Sequence, residues 1–163
     1  IYATKLTNGL IENKLKEHGM LRTVKRKVVK YGQSINLGCF RIEFIKTNHS
    51  IQDAAALAIF SPAGIVVHTG DFKVDYTPVF GDAIDLQRFG EIGKKGVLAL
   101  LCESTNAERS GFTPSEKRVG ASLDLIFMTN TEKRIIIAID ESGSMLGSVI
   151  YSAVMAQIRH PVF

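Results

Sequence analysis

Short β-prone runs alternate with turn residues from position 28 to position 102, and this pattern restricts that part of the chain to a sheet of brief strands. Two of the apolar runs, residues 54–60 and 65–69, flank the tetrapeptide Ser61-Pro62-Ala63-Gly64. Serine, proline and glycine favour tight turns for separate physical reasons, so this tetrapeptide predicts a hairpin.

Other runs differ in the burial that they predict. Residues 40–45 alternate apolar and polar side chains, which predicts a strand with one face in water. Residues 97–102 and 134–139 are almost continuously apolar, which predicts strands buried on both faces. Because strands come first and strand–helix units follow, the predicted fold class is α/β.

A helix is predicted over residues 5–18, followed by Gly19 at the position of a helix C-cap. The prediction rests on apolar residues at helical spacing, namely Leu6, Leu10, Ile11 and Leu15. Further helical stretches are predicted near residues 84–92 and over residues 149–158.

The tetrapeptide Thr113-Pro114-Ser115-Glu116 predicts the start of another helix. Thr113 is the expected cap, Pro114 suits the first helical position, and Glu116 completes a capping box. The face expected to be buried consists of Val119, Leu123, Ile126 and Phe127.

Composition bounds the class of protein. Hydrophobic residues make up 45% and charged residues 22% of the 163, which is typical of a folded domain, and no apolar run is long enough to span a bilayer. No secretory signal is recognisable, and we expect Ile1 to be a cut end. Cys39 and Cys102 lie in apolar segments, so we expect buried free thiols and a reducing cytoplasmic location.

Positive charge is concentrated near the start of the chain. Residues 1–30 hold eight Lys and Arg against two Glu, a balance of +6, and the remaining residues hold twelve against fourteen, a balance of −2. Such a segment can contact nucleic-acid phosphates, or it can be a solvated surface. No aromatic residues interleave with residues 14–30, which favours the solvated surface.

Polar residues follow three of the predicted strands. His49 follows the first, Asp71 follows Gly70 at the end of the second, and Glu103 follows the third. An imidazole and a carboxylate are suitable donors for a divalent metal ion. A lone histidine or aspartate at such a position is more often a loop or turn residue, so spacing alone leaves both interpretations open.

Four segments resemble nucleases of the ribonuclease J family over about residues 1–138, in the same order and spacing. They are IYATKLTNGLIENKLKEHGMLR, TNHSIQDAAALAI, VVHTGDFKVDYTPV and CESTNAERSGFTPSEKRVG. The resemblance implies a partial metallo-β-lactamase-type fold with αββα layers over residues 1–96, and the start of a β-CASP domain over residues 97–138. It also implies two zinc ions, an RNA substrate and a homo-oligomeric parent protein.

The resemblance also implies site residues, at the positions of this sequence that match the motifs of the family. His49 matches the third metal motif and would ligate one zinc, and Asp71 matches the fourth and would bridge the two ions. Glu103 is similar to the acid of the first β-CASP motif and is the predicted catalytic residue. Gln52 departs from the proline that is common in the family.

The HxHxDH segment of the family, which supplies most zinc ligands, is expected upstream of Ile1, and later β-CASP histidines are expected downstream. Two ligands cannot complete a four-coordinate zinc site. The resemblance therefore predicts a fragment of a zinc-dependent ribonuclease, inactive by itself, from a parent that hydrolyses RNA phosphodiesters with two metals.

The end of the chain resembles a different family. RIIIAIDESGSMLGSVIYSAVMAQI is similar to the first strand and helix of a von Willebrand factor type A domain, which suggests a remnant of that domain over residues 139–163. Asp140, Ser142 and Ser144 match its DxSxS motif, whose oxygen donors suit Mg²⁺. A turn in which a serine caps the following helix is the alternative. The competing functions are thus a Mg²⁺-dependent binding module and a non-catalytic RNA-binding scaffold.

Overall fold

The computed structural model describes residues 1–129, which form ten helices and strands. They are β1 (Tyr2–Ala3), α1 (Lys5–Glu17), β2 (Lys27–Val28), β3 (Ser34–Leu37), β4 (Phe40–Lys46), β5 (Ala55–Ser61), β6 (Gly64–His68), α2 (Leu86–Gly93), β7 (Ala99–Leu101) and α3 (Glu116–Thr129). This mixture of helices and a mixed sheet confirms the α/β fold class.

The main sheet has five strands in the order β3-β4-β5-β6-β7, antiparallel except for the parallel pair β6–β7. The predicted hairpin is confirmed, since Ser61 pairs with Gly64 at the end of β5 and β6. Gly64 has a φ of +142°, where a side chain would be strained, and a Cβ there would lie 3.1 Å from the Cβ of Leu98. A separate parallel pair joins β1 to β2.

The core lies where α2 covers the sheet. Ile45, Ala56, Ala58 and Val67 of the sheet pack with Ile92 of α2, and both Ile45 and Ile92 are almost completely buried. The two alanines are completely buried in this contact. The core therefore fixes the ends of β4 and β6, after which the polar strand-end residues follow.

Glu43 is an exception to the predicted wet face of β4, because it is only 4% exposed. Its two carboxylate oxygens accept hydrogen bonds from Arg88 of α2, from Nε at 2.6 Å and from a terminal nitrogen at 2.9 Å. This bidentate pair ties α2 to the sheet at the edge of the apolar core.

The predictions of burial for β7 and the two cysteines are wrong. Among residues 1–129, β7 is an edge strand, and Leu98 and Leu100 are 66% and 61% exposed. Cys39 and Cys102 are exposed free thiols, because the first lies in the β3–β4 turn and the second follows the edge strand. An apolar run indicates a strand, but the position of that strand in the sheet determines its burial.

In each of the three helices within residues 1–129, an aspartate accepts a hydrogen bond from a backbone N–H of the first turn, and two of these aspartates are distant in sequence. The backbone N–H of Leu6 donates to Asp53 Oδ2 at 3.0 Å, and that of Glu116 donates to Asp75 Oδ2 at 2.8 Å. Within residues 1–129, only α2 takes its aspartate from the adjacent position, where Asp85 accepts from the N–H of Arg88 at 2.9 Å. Since unpaired N–H groups at a helix start need acceptors, α1 and α3 depend on loops elsewhere in the chain.

The predicted start of α3 is two residues early. The helix begins at Glu116, Ser115 Oγ accepts from the N–H of Arg118, and the cap predicted at Thr113 is not the one that forms. The predicted buried face is also wrong in part, since Val119 and Ile126 are 41% and 54% exposed. By contrast, α1 confirms its prediction, and Gly19 follows it with a φ of +68°.

The local cap of α2 permits a direct stability test. Replacing Asp85 by alanine removes the acceptor for the N–H of Arg88 at an exposed helix end. We expect the free energy of unfolding to fall by about 1 kcal/mol. Urea denaturation of the variant and the wild type measures this, and Asp85→Asn, which keeps a capping oxygen, should lose less.

Several predictions fall outside the described residues. These are the strand at 134–139, the helix at 149–158, and the DxSxS residues Asp140, Ser142 and Ser144. The domain boundary between residues 96 and 97 also stays a prediction, although β7 pairs with β6 in the main sheet. Within residues 1–129, no helix is both long and apolar enough to cross a bilayer.

Candidate metal and substrate cleft

An open cleft of about 600 Å³ lies at the end of the main sheet where β4, β6 and β7 lead into loops. The three strand-end residues identified from the sequence, His49, Asp71 and Glu103, all line it. The other lining residues are Ser50, Phe72, Lys73, Val74, Thr105, Asn106, Phe112, Thr113 and Glu116. The sheet thus brings together residues that are far apart in the chain.

His49 and Asp71 are adjacent across the cleft. The imidazole Nε2 lies 3.9 Å from Asp71 Oδ2. Their loops are joined by an isolated antiparallel bridge between Asn48 and Lys73, whose N–H donates to the carbonyl of Asn48 at 2.6 Å. The backbone therefore sets the spacing of the two side chains.

Two further contacts shape the same loops. Ser50 Oγ lies 3.4 Å from His49 Nε2. The N–H of Gly70 donates to His68 Nδ1 at 3.0 Å, and Gly70 has a φ of +61°. Because of this turn after β6, Asp71 lies in the cleft. The sequence analysis assigned no such role to His68.

Glu103 is held as a carboxylate by its own loop. The N–H of Thr105 donates to Glu103 Oε2 at 2.8 Å. Hydrogen bonds from the side chain and backbone of Thr105 lower the pKa of Glu103, and the backbone of Phe72 and the proximity of His49 act in the same direction. Glu103 therefore serves as a turn cap in addition to any chemical role.

An ion pair between Lys73 and Glu116 joins the loop that follows β6 to α3. The sequence analysis identified neither residue as part of the site. Lys73 Nζ lies 2.7 Å from Glu116 Oε1, and Lys73 keeps only 13% of its side-chain exposure. The backbone N–H of Glu116 is bound by Asp75, which is 3% exposed. No spacing rule signals an ion pair between residues 43 positions apart.

The cleft is anionic. Among its titratable residues, the carboxylates of Asp71, Glu103 and Glu116 oppose the single ammonium of Lys73, which gives a formal charge of −2 with His49 neutral. A negative, solvent-open cleft attracts cations and repels phosphates. A phosphate-bearing ligand would therefore need cations in the cleft.

The donors present fit part of a zinc coordination shell. Zinc binds imidazole nitrogen and carboxylate oxygen at about 2.0–2.2 Å, so donor atoms 3.9 Å apart can both reach one ion. Asn48 Oδ1, next to His49, is buried without a hydrogen-bond partner among the described residues. Within residues 1–129, no three His, Cys, Asp or Glu side chains form a group that could hold a metal ion.

Curated proteins similar to this chain carry the name ribonuclease J. The chain is 43% identical over 153 residues to Ribonuclease J of Synechocystis sp., covering 93% of this chain and 24% of that protein. Ribonuclease J of Helicobacter pylori is 40% identical over 161 residues, and Ribonuclease J2 of Bacillus subtilis is 37% identical over 155. These alignments cover 98% and 94% of this chain, and 23% and 28% of those proteins. The chain thus spans about a quarter of the length of these curated relatives.

Among solved structures, a protein of unknown function from Enterococcus faecalis superposes with a TM-score of 0.54 at 17% identity. The superposition covers 79% of this chain and 33% of that one, and it shows a shared fold. No family model matches the chain.

Proposed function

We propose that this homologue of a segment of ribonuclease J contributes one side of a divalent-metal site to an RNA-hydrolysing enzyme. The observation that carries the proposal is the pair His49 and Asp71, whose donor atoms lie 3.9 Å apart in an anionic cleft. The relatives support RNA as the substrate through their name. Zinc, as two ions, is the metal that we propose.

The roles of the chain's own residues follow from the cleft. His49 and Asp71 would hold the cations, and Glu103, fixed as a carboxylate by Thr105, would accept a hydrogen bond from water or substrate beside them. Bound zinc supplies Lewis-acid stabilisation of the phosphate and a more acidic water. Lys73 keeps the loop that bears Asp71 against α3 through Glu116.

We also propose that the described residues do not form a complete catalytic centre. A hydrolytic zinc site takes three protein ligands and keeps one position for water, and the cleft presents His49 and Asp71. Further donors must come from other residues. The site formed within residues 1–129 is therefore expected to bind zinc weakly, and we propose that the chain by itself leaves single-stranded RNA intact.

Metal binding tests the two donors directly. Calorimetric titration with Zn²⁺ is expected to show affinity weakened about tenfold or more in His49→Ala and in Asp71→Asn, because each change removes one donor. His18→Ala and Asp82→Asn are matched controls, since neither residue lines the cleft. Zinc affinity that is equal in the wild type and all four variants would refute the site.

On the basis of the resemblance to ribonuclease J, we also propose a cytoplasmic location and a homo-oligomeric parent protein. The Mg²⁺-dependent binding module stays a separate prediction for Asp140, Ser142 and Ser144. It requires that Asp140→Ala weakens a Mg²⁺-dependent association, and an association indifferent to Mg²⁺ would exclude it.

The basic segment is less available to RNA than its charge suggests. Glu17 pairs with Lys14 at 3.1 Å, and Glu12 pairs with Lys16 at 2.9 Å and with Arg26 at 3.0 Å. These contacts favour the solvated surface over the RNA-binding scaffold. Binding through this segment would weaken steeply with salt, as counterion release requires.

A further inference from the structure

Within residues 1–129, the large apolar side chain of Phe112 is fully exposed at the cleft, with a relative exposure of 102%. Large aromatic side chains usually bury most of their surface, so complete exposure beside a cluster of polar residues needs an explanation. The other aromatic residue of the cleft, Phe72, is half-buried. Phe112 therefore presents both faces of its ring to a ligand.

The loop that carries Phe112 is anchored at both ends. At its start, the Glu103 carboxylate accepts from Thr105, and two consecutive turns join Ser104 to Ala107 and Asn106 to Arg109. At its end, Asp75 and Lys73 bind the backbone and side chain of Glu116, respectively. These anchors use the same loops that hold Asp71 and Glu103, so the ring is placed relative to the proposed metal site.

The chemistry of the cleft combines two requirements. Its formal charge of −2 attracts cations, which in turn attract the phosphates of a ligand. The exposed aromatic ring of Phe112 lies at its edge. A nucleotide in a single strand has both an anionic phosphate and a flat base with a free π-face. In a duplex the base faces are already stacked, so a duplex fits the ring poorly.

We propose that Phe112 is a stacking platform for one base of single-stranded RNA whose neighbouring phosphate lies over the His49–Asp71 pair. This assignment rests on the proposed function, because the cations bring the phosphate to the cleft. Stacking on an aromatic ring tolerates any base, so Phe112 contributes affinity for single strands and not a preference for sequence.

The chain contains no tryptophan, so one introduced tryptophan is a clean fluorescent probe. Phe112→Trp keeps the stacking surface, and its emission should be quenched on titration with oligoadenylate in the presence of Zn²⁺. Phe40→Trp is the matched control, because Phe40 is exposed at the opposite end of β4, about 20 Å of strand away from the cleft. Its emission should not change.

Two further measurements separate stacking from charge. An abasic phosphodiester of equal length and an RNA duplex should both leave the emission of the Phe112→Trp variant unquenched. Phe112→Ala should weaken binding of oligoadenylate by about fivefold to one hundredfold relative to wild type and Phe112→Trp, by competition with a labelled strand. Equal affinity of Phe112→Ala and wild type would overturn the proposal.

Other outcomes are also decisive. If the abasic chain quenches the Phe112→Trp variant as strongly as oligoadenylate does, binding is driven by charge and the stacking proposal fails. If the introduced indole is shielded from acrylamide in the free protein, another segment covers the ring, which also overturns the proposal. Zinc binding through His49 and Asp71 without quenching refutes stacking and leaves the proposed function intact. Quenching without zinc binding supports stacking of the base, but it refutes the metal site and with it the placement of the phosphate over the His49–Asp71 pair.

Discussion

Replacing Arg88 by methionine is expected to lower the free energy of unfolding by about 3 kcal/mol. The change leaves the Glu43 carboxylate, which is 4% exposed, without the guanidinium that donates two hydrogen bonds to it. Removing the main partner of a buried charge costs several kcal/mol in general. The loss is moderated here because Arg41 Nη1 lies 3.5 Å from Glu43 Oε2 and because the Arg88 side chain is 28% exposed. Urea denaturation at pH 7 measures the loss.

The double variant Glu43→Met with Arg88→Met is the control, because it removes both charges and retains the length of both side chains. Replacing both members of a buried ion pair by apolar residues is often nearly neutral. We therefore expect the double variant to be more stable than Arg88→Met alone. If the double variant is the less stable of the two, the loss comes from packing and not from a buried carboxylate that has lost its main partner.

The pair also has a pH signature. Hydrogen bonding from Arg88 is the main cause that holds the pKa of Glu43 below its ordinary value of 4.5, against the opposing effect of burial. A lowered folded-state pKa means that the pair stabilises the fold above the unfolded-state pKa and that this stability is lost as the pH falls through the folded-state pKa. On acidification from neutral pH, the wild type should therefore lose more stability than the double variant.

Replacing Asp75 by alanine is expected to lower the free energy of unfolding by about 2 kcal/mol. The buried carboxylate accepts from the backbone N–H groups of Glu116 and Thr77 and from the hydroxyl of Thr77. All three donors would lose their acceptor, and one of them is the N–H of Glu116, the first residue of α3. Urea denaturation should show a larger loss than that of Asp85→Ala, whose cap is exposed.

Asp75→Asn provides the matched comparison, since it keeps the shape and one acceptor oxygen but turns an amide toward N–H donors. An intermediate loss of stability is expected. Burial raises the pKa of Asp75, but the hydrogen bonds from Glu116 and Thr77 outweigh it and leave that pKa below its ordinary value of 3.8. The contribution of Asp75 is thus present at neutral pH and lost in acid. A loss in Asp75→Ala no larger than that in Asp85→Ala would contradict this role.

Local patterns predicted the elements of the fold well. The spacing of four apolar residues located α1 to within one residue of its end, and the tetrapeptide from Ser61 to Gly64 located the β5–β6 hairpin. Both depend on neighbours in sequence. Burial was predicted less well, because the burial of Glu43 in β4 depends on its ion pair with Arg88, which is 45 residues away.

The candidate site was predicted in part. The ends of apolar strands located His49, Asp71 and Glu103, and the structure places all three in one cleft. Their assignment as ligands and catalytic acid came from the family resemblance and not from spacing. Lys73 and Glu116 were missed, because their ion pair depends on where α3 meets the loop after β6.

The distant caps of α1 and α3 have a consequence for the order of folding. A helix of 13 residues is marginal alone in water, and α1 obtains an acceptor for its first turn from Asp53, 47 residues after Leu6 in the chain. Asp75, 41 residues before Glu116, supplies the corresponding acceptor for the first turn of α3. The entropy of closing such long loops is lost before these contacts can stabilise the helices. Both helices should therefore consolidate only after the hairpins have assembled. The cleft beside α3 should be among the last parts of the chain to acquire its native shape.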